Sequence, residues 1–141
     1  MSRARWLLIA ALLAGCGAPS VAEPPAIRYG EAGCATCRML INEERFAAAL
    51  RTATGEAEVF DGIGCLLQYQ VAHPGRATRV WVHDYESGRW LPSEQAFFVH
   101  SPELVTPMGD GLIAVTARPR ADALASTLHG RVMTWDQVSH K

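Results

Sequence analysis

A weak internal repeat constrains the fold of this 141-residue chain more than any other feature of its sequence. In the first half, a strand-like run at 56–60 precedes an apolar segment of helical length at 63–72, and a second strand-like run follows at 79–82. The segment 47–52 supplies a further strand before them. Asn42 and the two glutamates after it would also begin a helix by capping and propensity, but the repeat favours the strand.

The second half repeats the same order of elements. A strand-like run at 95–100 is followed by another at 112–116, by a short helical segment at 122–128 and by a last strand-like run at 131–135. Each half therefore offers two strands, a helix and a strand. The sequence predicts an α+β fold made of two small β-β-α-β repeats packed together.

The first fifteen residues have the pattern of a targeting segment. Arg3 and Arg5 form a basic start, and the apolar run 6–13 is too short to span a bilayer as a helix. The segment ends in Leu-Ala-Gly-Cys, which is typical of a bacterial lipoprotein signal in which Cys16 receives the lipid. An ordinary secretory signal or a short anchor helix is the alternative. We predict a lipoprotein anchored to a membrane of the cell envelope and facing the periplasm.

The rest of the chain divides into a tether and one domain. Residues 16–26 are rich in proline, alanine and small polar residues, which is typical of a linker. Residues 27–141 form the domain, with repeat halves at about 34–90 and 91–138. A hydrophobic content of 49% with 19% charged residues is ordinary for a globular protein, and a formal net charge of −1 gives no basic stripe for a nucleic-acid partner.

The strongest candidate for chemistry is the segment Cys34-Ala-Thr-Cys37-Arg-Met39, which brings three sulfur donors within six residues. Thiolate and thioether ligands favour Cu(I), a polarizable d¹⁰ ion, over harder metals. If residues 37–39 are extended, Cys37 and Met39 point to the same side of the chain. Donors from elsewhere would then complete a site of low coordination number.

Other interpretations of the cysteine pair remain open. A Cys34–Cys37 disulfide fits an oxidising compartment. A thioredoxin-like pair needs the N-terminus of a helix in a β-α-β context, and the sequence offers none at this point. Structural zinc commonly needs a second tight ligand pair, for which only Cys65 and a histidine are available. The sequence contains no catalytic triad, phosphate loop or paired acids, so we predict that the protein is not an enzyme.

Further donors are scattered over the chain. Cys65 begins the predicted helix, for which Asp61 would be the N-cap, and packing is the commoner role of a cysteine at such a place. Met108 lies in a glycine-rich turn, where either a ligand or a packing role fits. His100, at the end of its strand, is an additional candidate ligand, although a surface or hydrogen-bonded role is commoner for such a histidine.

Several segments, taken in order, resemble the NosL family. They are Cys34-x-x-Cys37-x-Met39, FDGIGCL at 60–66, VHDY at 82–85, AFFV at 96–99, TPMG-x-GL at 106–112 and GRV at 130–132. Together they span roughly 34–138, nearly the whole domain. Each piece is short, but their common order and the lipoprotein signal make the resemblance specific.

This resemblance implies a Cu(I) chaperone, a lipoprotein that helps to supply copper to nitrous oxide reductase, with a fold of two β-β-α-β repeats. By position, Cys37 and Met39 match the family's Cys-x-Met, and Met108 matches the methionine of its Met-Gly turn. Cys34 is not found in every version of the motif. It would be either a further ligand or a partner that oxidises with Cys37.

The resemblance leaves two other functions open. One is copper sequestration or sensing in the envelope, with the same site and with another copper-accepting envelope protein, or none, as the partner. The other is a thiol-dependent enzyme, by analogy with the organomercurial lyases whose fold NosL proteins resemble. Such an enzyme would draw on Cys37, Cys65 and Asp61, although a fold alone does not carry a function.

Overall fold

Two antiparallel sheets and three α-helices make up residues 21–140, which are the residues that this computed structural model describes. The predicted signal segment 1–15 and the lipidated Cys16 lie outside the described residues, as do tether residues 17–20. Within 21–140, no helix is long and apolar enough to cross a membrane.

The first repeat forms a four-stranded sheet with a helix. Its elements are β1 (Ala48–Thr52), β2 (Ala57–Phe60), α1 (Ile63–Ala72), β3 (Ala77–His83) and β4 (Trp90–Pro92). The strand order is β2-β1-β3-β4, and every pairing is antiparallel. The predicted helix 63–72 is confirmed with both of its ends. β4 was not predicted, because a run of three residues carries no periodic signal.

The contested segment 47–52 is a strand. β1 pairs with a neighbour on each edge, and all five of its residues are buried. The helix start at Asn42 produces only a single 3₁₀ turn, Glu44–Phe46. Packing on both sides of the strand therefore outweighs the local propensity for a helix.

The second repeat has the same arrangement. Its elements are β5 (Phe97–His100), β6 (Leu112–Val115), α2 (Arg118–Thr127) and β7 (Arg131–Met133). The strand order β6-β5-β7 matches the order β2-β1-β3 of the first repeat, with the first strand of each repeat in the middle. The α+β fold of two β-β-α-β repeats is therefore confirmed.

The ends of three predicted elements are corrected by local capping and turns. The helix predicted at 122–128 begins earlier, at Arg118, because Pro119 fits the first turn, where its missing N–H needs no partner. The strand predicted at 95–100 begins at Phe97, since a 3₁₀ turn, Ser93–Gln95, precedes it.

The strand predicted at 131–135 ends at Met133. Trp135 instead begins a short helix, α3 (Trp135–Ser139). A capping box explains this end, because the side chains of Thr134 and Gln137 each accept a hydrogen bond from the other residue's backbone N–H.

The buried side chains form two hydrophobic clusters, one of which spans both repeats, and backbone contacts also join the repeats. Leu66 of α1 and Phe60 of β2 belong to the same buried cluster as Phe98 of β5. After β3, the N–H of Tyr85 donates to the carbonyl of Ala114 in β6 at 2.8 Å. The second repeat therefore lies against the end of the first, where α1 begins.

Candidate metal centre

Three cysteines from two distant segments meet beside the first turn of α1. Cys34 and Cys37 lie in the loop that precedes β1, and Cys65 is the third residue of the helix. Together with Asp61, they place four potential ligand atoms within 4.8 Å of one another. We call these four residues the cysteine–aspartate cluster. Cys34 and Cys65 are fully buried, whereas the side chain of Cys37 is partly exposed to solvent. All three are free thiols.

A tight turn gives the first two cysteines their positions. The N–H of Arg38 donates to the carbonyl of Cys34 at 3.0 Å, and the N–H of Cys34 donates to the carbonyl of Met39 at 2.8 Å. Arg38 has a φ of 67°, in the left-handed region. Residues 37–39 are therefore not extended, and the strand alternation expected for Cys37 and Met39 does not apply to them.

Hydrogen bonds hold this loop against the first repeat. The hydroxyl of Thr36 donates to the carbonyl of Cys65 at 2.8 Å, and the N–H of Ala35 donates to the carbonyl of Val59 in β2 at 2.8 Å. The loop is thus fixed to the strand before α1 and to the first turn of the helix itself. These contacts explain how cysteines about thirty residues apart come together.

Asp61 is a buried member of the cluster and not the N-cap that the sequence predicts. Its Oδ2 accepts a hydrogen bond from Sγ of Cys37 at 3.5 Å, and its Oδ1 has no hydrogen-bond partner within the described part of the chain. The N-cap of α1 is Gly62. The first turn is capped from the second repeat instead, because Oδ2 of Asp110 accepts a hydrogen bond from the N–H of Gly64 at 2.7 Å.

Burial raises the pKa of two thiols of the cluster, Cys37 and Cys65. It raises the pKa of Cys65 far above the ordinary value for a thiol, and the nearby Asp61 carboxylate and Cys34 raise it further. Burial also raises the pKa of Cys37, and the backbone N–H of Met39 only partly offsets this effect. A metal ion that binds here must therefore displace protons, since the thiolate is the ligand.

Two methionines lie on the loops that flank the cluster. Met39 is 56% exposed and follows Cys37, while Met108 is 41% exposed in the glycine-rich turn. The contact of Asp110 with Gly64 holds this turn at the start of α1. We call Met39 and Met108 the methionine rim. Both side chains are exposed, and a thioether is a soft donor of the kind that Cu(I) favours.

A family model of NosL matches residues 26–141. The chain belongs to the NosL family. Among solved structures, it is similar to the copper chaperone NosL from Shewanella denitrificans, with a TM-score of 0.73 and 20% sequence identity. That match covers 82% of this chain and 94% of the Shewanella chain. A comparison with curated proteins found no match.

The family membership and the fold inferred from the sequence motifs are thereby confirmed. In this NosL chain the cluster contains two of the predicted ligands, Cys34 and Cys37, together with the additional candidate Cys65. The predicted ligands Met39 and Met108 lie on the flanking loops. Asp61 was missed as a donor because it read as a helix cap. Its place just ahead of Cys65 in the same FDGIGCL segment was the available signal.

His100 is not one of the four residues of the cysteine–aspartate cluster. It ends β5, where it pairs with Leu112 and Arg131, and it lines a cavity of about 410 Å³ together with Leu67 and Met133. The cavity is mainly apolar and opens between α1 and the second sheet. The structure thus places His100 at this cavity.

Proposed function

We propose that this NosL protein is an extracytoplasmic Cu(I)-binding lipoprotein, a metallochaperone that supplies copper for maturation of nitrous oxide reductase. The observation that carries this proposal is the cluster of three free thiols with Asp61, in which the thiol of Cys37 is partly exposed. Cu(I) favours two or three soft donors, and Cys37, Met39 and Met108 are such a set. Cys34 lies behind Cys37 as a further thiol donor.

The exposure of these donor side chains suits transfer of copper to an acceptor protein. A copper ion bound near the protein surface by a few soft ligands keeps a coordination position open. A ligand of the acceptor protein can bind at that position. The Met108 turn has glycines with positive φ on both sides of Asp110, and the contact of Asp110 with Gly64 holds this exposed turn at the start of α1, within reach of an acceptor protein. The solved relative is itself described as a copper chaperone.

The exposed apolar side chains next to the rim suit a partner surface. Leu40 is 52% exposed directly after Met39, and Val105 is 89% exposed three residues before Met108. Large apolar side chains left in water at a metal-transfer site are typical of a contact that forms only transiently. We expect the copper-accepting protein to cover these residues while copper moves.

The path of the chain fits an anchor on the side away from the site. Arg51 Nε donates to the carbonyl of Glu23 at 2.9 Å, which fixes the start of the described chain beside the β1–β2 hairpin. Asp61 follows the opposite end of β2, about 13 Å along a four-residue strand. A lipid on Cys16 would therefore hold the hairpin end toward the membrane and leave the metal centre facing the periplasm.

A Cu(I) competition experiment tests the site. The chain is purified in detergent, reduced, and titrated anaerobically with Cu(I) against a coloured chelator. We expect one-to-one binding in the unmodified protein. Cys37→Ser, Met39→Leu and Met108→Leu should each weaken binding by about tenfold or more, which corresponds to about 1.4 kcal/mol. Met133→Leu is the matched control, because Met133 is buried in β7 away from the rim. Equal affinities in all four variants would contradict the proposed ligand set.

A transfer experiment then separates delivery from sequestration or sensing. The copper-loaded protein is mixed with copper-free nitrous oxide reductase, and the copper content and activity of the reductase are measured after the two are separated. Copper gain that depends on Cys37 supports delivery. Retention of copper by this protein in the presence of the reductase would favour sequestration or sensing, or another envelope client.

A thiol-dependent enzyme remains the alternative class, because Asp61 lies 3.5 Å from Cys37 within the same cluster as Cys65. In an organomercurial lyase reaction, a proton passes to the carbon as the carbon–mercury bond breaks, and thiolates hold the released Hg²⁺. We expect no such turnover here. Release of the hydrocarbon from an organomercurial, abolished by Asp61→Asn, would contradict the chaperone assignment.

A further inference from the structure

Two adjoining clefts follow the helix α1. The first is the mainly apolar cavity of about 410 Å³ that opens between α1 and the second sheet. The second has a volume of about 420 Å³ and lies between the C-terminal end of α1 and the short helix α3. Val71 and Ser139 line both clefts. We call the two clefts together the α1 groove.

The two clefts of the groove differ in chemistry. Apolar side chains dominate the first cleft, namely Leu67, Val71, Ala72, Leu112, Met133 and Val138. Polar side chains make up half of the second, namely Gln70, Asp136, Ser139 and His140. Ligand sites in proteins are typically clefts of about 300–1,000 Å³ with apolar walls and a few polar groups. A groove with an apolar part and a polar part matches an amphiphile with an apolar chain and a polar head.

The apolar wall of the groove is open to water at the point where the clefts meet. Val71 is 76% exposed there, although it is a large apolar side chain. Leu67 lies one helical turn earlier on the same face of α1 and lines the first cleft. An acyl chain that lies over Leu67 and Val71 would remove this apolar surface from water, which is favourable.

The charge of the lining indicates which head group fits. Asp110 lines the first cleft and Asp136 the second, and neither cleft is lined by a lysine or an arginine among residues 21–140. The carboxylate of a fatty acid would meet like charge in this groove. Hydroxyl groups of an uncharged head can instead donate hydrogen bonds to Asp136 and Gln70.

The polar cleft lies at the end of the molecule that carries the β1–β2 hairpin. Gly75 lines this cleft, and the next residue, Arg76, forms an ion pair with Glu56 of the hairpin at 3.5 Å. The anchor in the proposed function holds this end toward the membrane, which would supply the lipid. We propose that the α1 groove binds a single-chain lipid with an uncharged, hydroxyl-bearing head, a monoacylglycerol. The site shares no residue with the cysteine–aspartate cluster.

Photocrosslinking provides the test. The full chain is reconstituted into lipid nanodiscs and irradiated with monomyristoylglycerol that carries a diazirine in its acyl chain, and the labelled peptides are identified by mass spectrometry. We expect label on residues 63–75 and 131–140. Myristic acid with the same diazirine is the matched control and should label these segments about tenfold less, because its head is charged. Equal labelling by the two probes, or label confined to other segments, would overturn the proposal.

A pair of identical substitutions locates the binding site. Val71→Asp places a charge where the clefts meet, and Val105→Asp places the same charge on a loop that lines neither cleft. Both side chains are mainly exposed, at 76% and 89%, so neither substitution disturbs the core. Val71→Asp should lower labelling by about tenfold, and Val105→Asp should leave it unchanged. Unchanged labelling in Val71→Asp would overturn the proposal.

Two further measurements separate the lipid site from the proposed anchor and from copper binding. Cys16→Ser removes the proposed lipid anchor, and we expect the isolated groove to bind the probe with or without it. Labelling that appeared only in Cys16→Ser would assign the groove to the protein's own acyl chain and overturn the proposal. The Cu(I) affinity of Val71→Asp should equal that of the unmodified protein, so failure of the copper titration and failure of lipid labelling are distinguishable.

Discussion

Asp110 fixes the glycine-rich turn against the helix that carries Cys65. One carboxylate oxygen accepts from the N–H of Gly64 at 2.7 Å, and the other accepts from the hydroxyl of Thr106 at 2.7 Å and from the N–H of Leu112 at 3.0 Å. The first N–H groups of a helix lack intrahelical partners and favour negative charge. A single side chain therefore caps α1 and shapes the turn that holds Met108.

Replacing Asp110 with alanine should destabilise the protein. We expect Asp110→Ala to lower the free energy of unfolding by about 1–3 kcal/mol, because a buried N–H and a hydroxyl lose their acceptor. Urea unfolding followed by circular dichroism measures the change. Asp122→Ala is the control, since its ion pair with Arg118 is exposed and should contribute about 0–1 kcal/mol. Equal effects of the two substitutions would mean that Asp110 does not hold the turn.

The two aspartates show where prediction at the residue scale succeeds and fails. A residue beside a helix start reads as a cap, and this assigned the role to Asp61. The actual acceptor is forty-six residues away from Gly64. Asp110 lies in Gly-Asp-Gly, which is typical of a turn. That local pattern does not predict a contact with a helix in the other repeat.

At the scale of elements, β3 ends in a buried histidine. His83 Nε2 is 2.9 Å from the hydroxyl of Tyr29, and its Nδ1 is 2.7 Å from the carbonyl of Gly88. The ring also packs against Trp90, with a centroid distance of 3.7 Å. Burial lowers the pKa of His83 from 6.5, although the Gly88 carbonyl and Glu44 oppose the shift. The strand end is therefore built around a neutral imidazole.

This arrangement predicts a loss of stability in mild acid. The pKa of His83 is lower in the folded than in the unfolded chain, so its contribution is complete above pH 6.5 and is lost as the pH falls toward the folded value. We expect the free energy of unfolding to fall less between about pH 7.5 and about pH 5 in His83→Gln than in the unmodified protein.

Tyr29→Phe is the control for that comparison, because it keeps the titrating ring and removes only a hydroxyl partner. Urea unfolding at several pH values gives the slope for each variant. Tyr29→Phe should retain most of the pH dependence. If His83→Gln retained it as well, other groups would be responsible.

The centres of the elements were more predictable than their ends. An apolar run of helical length identified α1, and strand-like apolar runs identified most of the strands, because those residues pack on the core. The ends depend on single contacts, such as the capping box at Thr134 and the first-turn position of Pro119. The strand β1 was contested because its Ala-rich sequence has helical propensity, and only its position between two strands decides the matter.

At the scale of the whole molecule, prediction of the candidate site required knowing how the repeats pack. The sequence showed that Cys34, Cys37 and Met39 belong together, since they are neighbours in the chain. It did not show that Cys65 and Asp61 join them, because that contact depends on the loop before β1 docking onto α1. Local sulfur spacing predicted part of the metal chemistry, and long-range packing determined the rest.

Asp84 connects the repeats in the turn after β3. Its Oδ1 accepts from the N–H groups of Glu86 and Ser87, and its Oδ2 accepts from both the N–H and the hydroxyl of Thr116 in the second repeat. Burial raises the pKa of Asp84, but the Thr116 hydroxyl and these N–H groups outweigh it, so the pKa lies below the ordinary 3.8. The charged carboxylate thus stabilises this contact between the two repeats, which we call the joint.

Asp84→Asn should weaken this joint. An amide keeps one acceptor oxygen but turns an NH₂ group toward donors, so we expect a loss of about 1–3 kcal/mol near neutral pH. Glu86→Gln is the matched control from the same turn, because its ion pair with Arg120 also joins the repeats but is exposed.

The pH dependence distinguishes a charged joint from general damage to packing. Because the folded pKa of Asp84 is depressed, its contribution is present above pH 3.8 and is lost as the pH falls through the folded value. The difference in unfolding free energy between the unmodified protein and Asp84→Asn should therefore shrink in that acid range. Since one buried hydrophobic cluster spans both repeats, each variant should still unfold in a single transition. A difference that persisted unchanged in acid would show that the carboxylate charge does not hold the halves together.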